Sequence, residues 1–211
     1  MKTILFDLDG TLIDSTDAIV EGFEVAYDSL GQIPPNKTDI IKHVGYPLEI
    51  MFERLGMRGN VADYVRAYKE HYRTISKAKT TLLPFAKEAI DTASQYAQLG
   101  IVTTKTSRFS QELLEHLGIL NYFKVLIGRE NVTHPKPDPE PIYKAMEQLK
   151  AKKQKTWMIG DTILDIDAAN KAGIKSVGVV CGYGSRQELL RYTKNIRADA
   201  YEAVYFIRDN T

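Results

Sequence analysis

Cysteine is almost absent from this chain of 211 residues, in which Cys181 is the only one. A single cysteine excludes a disulfide within the chain, and no cluster of His and Cys surrounds it that would make it a metal ligand or a nucleophile. We therefore expect Cys181 to be a small residue near a strand end, in a protein of a reducing compartment, the cytoplasm.

An excess of charge of either sign is also missing, because 28 Lys and Arg face 27 Asp and Glu and give a net charge of +1. This near neutrality argues against nucleic acid or an anionic membrane as a partner. The apolar runs are too short for a transmembrane helix of about 20 residues. Asp7 interrupts the apolar start of the chain, which argues against a signal peptide. The sequence shows no internal repeat, no low-complexity tract and no signal for an oligomeric state.

Short apolar runs alternate with helical patterns along most of the chain. Continuous apolar runs predict strands that are buried on both faces, as in parallel sheets. The five predicted strands are residues 4–6, 99–104, 124–128, 156–160 and 176–180. Between the first two strands only helices are predicted, near residues 16–30, 38–43, 48–55 and 61–76. Further helices are predicted near residues 84–98, 108–117, 141–151, 163–172, 186–193 and 201–209.

This alternation predicts an α/β fold with a Rossmann-like parallel sheet, covered by helices on both faces. The length of the chain, 211 residues, suits one domain with an insertion. We assign residues 1–14 and 83–211 to the α/β core and residues 15–82 to an inserted, all-helical cap.

Two aspartates, Asp7 and Asp9, follow the first predicted strand directly. Residues two apart in an extended chain face the same side, and ligands bind beyond the carboxyl ends of parallel strands. Two neighbouring carboxylates resist joint ionisation unless a cation lies between them. The pair therefore predicts a divalent metal beside a reactive carboxylate. The alternative is a plain turn at Asp9 and Gly10.

Polar side chains follow two later strands as well. Thr103 and Thr104 end the second predicted strand, where hydroxyls and backbone N–H groups can hold phosphate oxygens. Asp161 and Asp165 follow the fourth strand one helical turn apart, and carboxylates in such a pair suit Mg²⁺. The alternative for the threonines is a helix cap. The alternative for the aspartates is that they only compensate the positive end of a helix dipole.

A stiff segment carries Lys136 between Pro135 and Pro137, with further prolines at 139 and 141. Proline fixes the backbone angle φ, so the ammonium group is rigidly placed and suits an anion. The alternative is a solvated lysine in a loop. The acids, hydroxyls and lysine together suit phosphoryl transfer, in which a metal neutralises charge, a carboxylate attacks and polar donors hold the phosphate oxygens.

The strand-end residues also resemble a known family. The run from Asp7 to Thr11, Thr103, Lys136, and the run from Gly160 to Asp165 resemble the four motifs of the haloacid dehalogenase superfamily phosphatases. The resemblance spans essentially the whole chain, and residues 6–15 resemble the phosphoglycolate phosphatase branch most.

The resemblance implies a role for each motif residue. Asp7 would be the nucleophile that becomes aspartyl-phosphate, and Asp9 would move the protons while its carbonyl oxygen binds Mg²⁺. Thr103 and Lys136 would hold the phosphoryl group. Asp161 would bind Mg²⁺, and Asp165 would support that site indirectly. Asp9 favours phosphate esters or anhydrides, since the dehalogenase branch lacks this second acid.

The resemblance implies a Mg²⁺-dependent phosphatase of a small phosphorylated metabolite, with phosphoglycolate as the first candidate substrate. Pyrophosphate, a sugar phosphate or a nucleotide is the alternative substrate. The rival enzyme is a β-phosphoglucomutase-like phosphotransferase. A non-catalytic binding module is the rival without an activity, and its hallmark would be loss of the motif residues.

The predicted cap covers the site in this family, with hinges expected near residues 13–15 and 80–84. Tyr64, Tyr68 and Tyr72 recur every four residues on one helix, which predicts internal packing of the cap.

The loop of residues 43–47 resembles the specificity loop of the family, so His43 or Tyr46 is a candidate substrate contact, with a plain turn as the alternative. Phe85 departs from the family, in which a glycine often follows the corresponding proline, and this bears on the shape of the hinge.

Overall fold

The computed structural model describes residues 1–210. Its strands are β1 Lys2–Phe6, β2 Ile13–Asp14, β3 Thr81–Leu82, β4 Ala97–Val102, β5 Phe123–Ile127, β6 Thr156–Gly160, β7 Lys175–Val179 and β8 Ile196–Arg197. Its α-helices are α1 Thr16–Ser29, α2 Lys37–Ile41, α3 Leu48–Arg54, α4 Val61–Ile75, α5 Ala86–Ser94, α6 Ser107–His116, α7 Glu140–Gln148, α8 Ile163–Ala172, α9 Arg186–Leu189 and α10 Ala200–Asp209. Within residues 1–210, no helix is both long enough and apolar enough to cross a membrane.

Six parallel strands form the central sheet in the order β5-β4-β1-β6-β7-β8. β1 lies between β4 and β6, and Leu5 is in register with Gly100 on one side and Met158 on the other. Along the chain, β4 and β5 follow β1 on one side of it, and β6, β7 and β8 then follow on its other side. This reversal opens a crevice beyond the carboxyl ends of β1 and β6, where ligands bind in folds of this kind.

Helices cover both faces of the sheet, and the alternation of side chains in β1 decides which face each residue serves. Ile4 and Phe6 pack against residues of α5, α6 and α10 on one face. Leu5 packs against residues of α7 and α8 on the other. All three side chains are fully buried, as a strand covered on both sides requires. The predicted α/β fold with a Rossmann-like parallel sheet is confirmed.

A helical insertion, residues 15–80, lies between β2 and β3 and contains α1 to α4. Aromatic rings fill its interior, with the centroids of Phe23 and Phe52 4.3 Å apart and stacked rings of Tyr68 and Tyr72 at 5.3 Å. Tyr64, Tyr68 and Tyr72 are all buried. Tyr64 and Tyr68 pack inside the insertion, as the stripe predicts, whereas Tyr72 also meets Phe109 of α6 in the core, with ring centroids 5.2 Å apart. β2 and β3 pair antiparallel where the chain enters and leaves it.

The structure differs from the sequence-based prediction in several element boundaries. β2, β3 and β8 were not predicted, because a two-residue strand is too short to show a periodic pattern. β4 ends at Val102, so Thr103 and Thr104 lie beyond it rather than in it. α5 begins at Ala86, because Phe85 has a φ of 61° in the left-handed region and does not continue a helix.

Candidate active site

Lys136 lies at the centre of the crevice beyond β1 and β6. Its ammonium group donates hydrogen bonds to Asp7 Oδ1 at 2.9 Å, to the Val102 carbonyl at 2.9 Å and to Asp165. The side chain is 3% exposed. Residues that are far apart in the sequence therefore meet here, as the strand-end pattern predicted.

Three buried carboxylates lie together in the crevice, and Lys136 binds two of them, Asp7 and Asp165. Oxygens of Asp7, Asp161 and Asp165 lie within 4.8 Å of one another, and the three residues are at most 4% exposed. Burial raises the pKa of Asp7 to about 7, with Asp165 and Asp9 acting in the same direction and Lys136 opposing them. Burial, Asp165 and Asp7 hold the pKa of Asp161 well above its usual range. The cluster carries more negative charge than one lysine balances, so it suits an added cation.

Asp161 is held in one orientation by neighbours from two loops. Thr11 Oγ1 donates to Asp161 Oδ1 at 2.9 Å, and the Tyr183 backbone N–H donates to Oδ2 at 2.8 Å. A Cβ at Gly10 or Gly182 would lie 2.4 or 2.1 Å from Oδ2, so no side chain fits at either position. Gly10 also has a φ of +80°, which only glycine adopts readily. Sequence reasoning assigned no role to Tyr183 or Gly182, which lie in a loop after β7 without a recognised motif.

Asp165 is fixed by the start of α8. The Thr162 backbone N–H and hydroxyl both donate to Asp165 Oδ2, at 3.0 and 2.8 Å. Its other oxygen accepts from Lys136. The carboxylate therefore couples a helix end to the ammonium group beside Asp7.

Asp9 lies outside this cluster, with its own partners. Lys105 Nζ lies 3.1 Å from Asp9 Oδ2, and Ser15 donates its hydroxyl to Asp9 Oδ1. Lys105 also lies over the ring of Tyr72 at 4.7 Å. Burial alone would lower the pKa of Lys105, but Asp9 and the neighbouring tyrosines raise it well above its usual value.

Sequence reasoning missed Lys105 and the contact of Ser15 with Asp9. Lys105 directly follows Thr103 and Thr104, so its position after a strand end was the available signal. A serine directly before a helix commonly caps it. Ser15 does stand at the N-cap position of α1, but its side chain makes no capping hydrogen bond, because the hydroxyl is bound to Asp9 instead.

The two predicted phosphate-binding threonines have different partners. The Thr103 backbone N–H donates to the Ile127 carbonyl at 2.9 Å, and its hydroxyl accepts from the Lys105 N–H at 3.2 Å. The Thr104 hydroxyl donates to the Gly45 carbonyl in the insertion at 2.8 Å. Thr103 thus organises the loop after β4, and Thr104 joins that loop to the insertion.

A cavity of about 60 Å³ lies between the insertion and the sheet edge. Its lining includes Asp9 and Lys105 on the sheet side and Tyr46 and Tyr72 on the side of the insertion. His43, the other candidate in its loop, is absent from the lining, and its Nδ1–H donates to the Asp39 carbonyl at 2.8 Å. The loop of residues 43–47 therefore meets the cavity through Val44, Gly45 and Tyr46, and of the two candidate contacts only Tyr46 lines it.

The sequence has matches among known proteins over most of its length. A model of the haloacid dehalogenase-like hydrolase family matches residues 4–179. Pyrophosphatase PpaX of Halalkalibacterium halodurans is 33% identical over 189 residues, which cover 89% of this chain and 86% of that protein. Phosphoglycolate phosphatase of Aquifex aeolicus is 31% identical over 186 residues, which cover 87% of this chain and 86% of that protein.

Solved structures of the same family also match the fold of this chain. A haloacid dehalogenase-like family hydrolase from Streptococcus pneumoniae superposes with a TM-score of 0.88 at 27% identity, over 98% of both chains. These matches confirm the family that the strand-end motifs predicted. The chain belongs to the haloacid dehalogenase-like hydrolase family and is an enzyme of the phosphatase group within it.

Proposed function

We propose that this phosphatase hydrolyses a small phosphorylated metabolite with Asp7 as the nucleophile and Mg²⁺ as the metal. Asp7 would attack phosphorus in line as the bond to the leaving oxygen breaks, and water would then hydrolyse the aspartyl-phosphate. The observation that carries this proposal is the contrast between two acids of one strand end. Asp7 lies in the buried carboxylate cluster, whereas Asp9 lies outside it beside the cavity.

The position of Asp9 supports a role in proton transfer. It lines the cavity, in which a leaving group would lie, and its two oxygens already accept from Ser15 and Lys105. Asp9 would protonate the leaving oxygen in the first step and take a proton from water in the second. These two neighbours would hold the carboxyl group towards the leaving oxygen.

Lys136 and Thr103 would hold the transferred phosphoryl group. The ammonium group of Lys136 is already within hydrogen-bonding distance of the nucleophile at 2.9 Å, so it can neutralise charge that gathers between Asp7 and phosphate. Thr104 stays a predicted phosphate contact. Its hydroxyl is bound to Gly45, which leaves its backbone N–H as the donor in that role.

The donor set fits Mg²⁺, which prefers carboxylate and carbonyl oxygens. Asp7, Asp161 and the Asp9 carbonyl would hold the ion, and Asp165 would support that site through Lys136 and Thr162. When bound, Mg²⁺ would reduce the repulsion between an anionic nucleophile and an anionic phosphate. Burial and the neighbouring carboxylates raise the pKa of Asp7 and Asp161, so a cation beside them would favour their ionised forms.

We propose that residues 15–82 act as a cap on a core of residues 1–14 and 83–211. The aromatic interior of the insertion, which meets the core through Phe109, and the short β2–β3 ladder at its base support this division. Closure would exclude water from the phosphoryl group. The single cysteine supports placement of the enzyme in the cytoplasm.

Phosphoglycolate is our first candidate substrate, and pyrophosphate is the second. A phosphoglycolate phosphatase and a pyrophosphatase match the chain at 31% and 33% identity. In either case the leaving group would lie in the cavity beside Asp9.

Phosphate release from a panel of phosphorylated metabolites with and without Mg²⁺ tests the proposal. We expect Mg²⁺-dependent release of inorganic phosphate, loss of this release in Asp7→Asn, and retention of it in Asp17→Asn, whose carboxylate pairs with Lys37 at the exposed surface of the insertion. An isomerised sugar phosphate without phosphate release would replace hydrolysis by phosphotransfer. Full activity of Asp7→Asn would exclude this residue as the nucleophile.

A further inference from the structure

Within residues 1–210, four buried side-chain polar atoms have no hydrogen-bond partner, and three of them belong to residues that line one cavity. The three are Tyr72 Oη, Thr106 Oγ1 and Arg129 Nε. Buried polar groups in folded proteins are nearly always hydrogen-bonded. Three unpaired groups around one cavity therefore indicate a place where a polar ligand completes the bonding.

These groups reach the cavity from three separate elements. Tyr72 belongs to α4 of the insertion and is 1% exposed. Thr106 stands at the N-cap of α6, and Arg129 opens a 3₁₀ turn after β5. The backbone and one end of Arg129 are anchored, since its N–H donates to the Lys105 carbonyl at 3.0 Å and its Nη1 donates to the Val132 carbonyl at 3.2 Å.

Charges around the cavity leave Arg129 without a counterion. Lys105 is paired with Asp9 at 3.1 Å. Lys69 and Glu49 of the insertion contribute one charge of each sign to the lining. Arg129 forms no ion pair among the described residues, so the cavity has room for one further negative charge. A guanidinium group binds carboxylate and phosphate oxygens well because its N–H donors lie in one plane.

We propose that Arg129, together with Thr106 and Tyr72, binds a second anionic group on the leaving part of the substrate. The substrate class is a small phosphate ester or anhydride whose leaving group carries a carboxylate or a second phosphate. This proposal rests on the proposed phosphatase function. It places part of the substrate selection on the loops of the sheet edge rather than on the helical insertion alone.

Matched pairs of substrates test the proposal, each pair differing in the second anion. One pair is 2-phosphoglycolate and its carboxamide, and the other is pyrophosphate and methyl phosphate. For Arg129→Met we expect kcat/KM to fall about 10- to 100-fold on the member with the second anion. On the member that lacks the second anion the change should stay within about threefold. The pair that responds identifies the carboxylate or the phosphate as the second anion.

Three further variants separate binding from a structural role. Arg129→Lys keeps the charge and should lose less discrimination than Arg129→Met, and it replaces Arg129→Met as the test variant if that protein does not fold. Arg108→Met, at an exposed arginine of α6 paired with Glu112, should behave as wild type. Lys69→Met should leave the discrimination between pair members unchanged. Equal losses on both members, no loss on either, or a loss of discrimination in Lys69→Met instead would overturn the proposal.

A binding measurement distinguishes failure of the Arg129 proposal from failure of the proposed phosphatase function. If the wild type releases phosphate from no compound, the phosphatase assignment to these substrates fails. Calorimetric titration of Asp7→Asn and of the double variant Asp7→Asn/Arg129→Met with 2-phosphoglycolate and with pyrophosphate then decides the inference. Weaker binding of either compound by the double variant supports the role of Arg129, and equal binding of both compounds overturns it.

Discussion

The buried carboxylate cluster and the cavity beside Asp9 differ in how completely the protein satisfies its own polar groups. In the cluster, Lys136, Thr11 and Thr162 already bind the three aspartates. In the cavity, buried donors of Tyr72 and Arg129 remain without a protein partner. The carboxylates of the cluster are thus held in place before a substrate arrives. The donors in the cavity would gain a partner only when a leaving group enters it.

The largest expected effect comes from the residue that lies between these two regions. Asp9→Asn keeps the shape of the side chain but cannot exchange a proton, so we expect kcat to fall about 10²- to 10⁴-fold. Steady-state phosphate release, with circular dichroism to check the fold, measures this. Asp17→Asn is the matched control. A near-normal kcat in Asp9→Asn would mean that proton transfer does not pass through this residue.

Metal binding should depend on pH through the carboxylate cluster. Burial raises the pKa of Asp7 to about 7, above the value of about 4 in an unfolded chain. A carboxyl group with a raised pKa stabilises the folded state at low pH, and this contribution is lost as pH rises from about 4 through about 7. Mg²⁺ competes with the protons, so it should stabilise the protein more at pH 8 than at pH 5.5.

Thermal unfolding with and without Mg²⁺ measures this effect. At pH 8 and a Mg²⁺ concentration of about 100 Kd, we expect Tm to rise by about 5–10 °C. Asp161→Asn should lose the rise, whereas Asp167→Asn on the following helix α8, paired with Lys171, should keep it. A rise that is equal at both pH values, or that survives in Asp161→Asn, would place the metal elsewhere.

The smallest expected effect compares two buried tyrosines of α4. Tyr64 donates its hydroxyl to the Arg58 carbonyl at 3.0 Å, so Tyr64→Phe should lower the free energy of unfolding by about 1 kcal/mol. The hydroxyl of Tyr72 has no such partner, and Tyr72→Phe should leave stability unchanged. Urea unfolding of both variants gives the comparison. Equal destabilisation would show that Tyr72 is bonded within the free protein and would weaken the contrast between cluster and cavity.

The residues of the cluster could be predicted from the sequence because each one leaves a local signal. Asp7 and Asp161 are acids directly after apolar strands, and Lys136 stands between prolines. Strand alternation then implies that these ends share one edge of the sheet. The predicted fold class followed from the same pattern.

Asp9, Thr104 and Tyr46 of the cavity were predicted, but Lys105, Thr106 and Arg129 were not, because their role depends on partners from distant elements. Arg129 and Thr106 resemble ordinary loop residues until the insertion is placed over them. Ser15 follows the usual rule for a helix cap in sequence, but a nearby carboxylate competes for its hydroxyl. Phe85 adopts a left-handed φ that bulky residues rarely take, so only its departure from the family pattern marked this position.

The β2–β3 ladder would link a movement of the insertion to the position of Asp9, the residue that we propose for proton transfer. β2 follows the turn that carries Asp9, and the Gly10 N–H donates to the Ile13 carbonyl at 2.8 Å. Ser15, the first residue after β2, holds Asp9. A rotation of the insertion about this ladder would therefore pull Ser15 relative to Asp9. In the proposed mechanism, closure of the insertion over a substrate would bring Asp9 into position for proton transfer, and opening would move it out of that position.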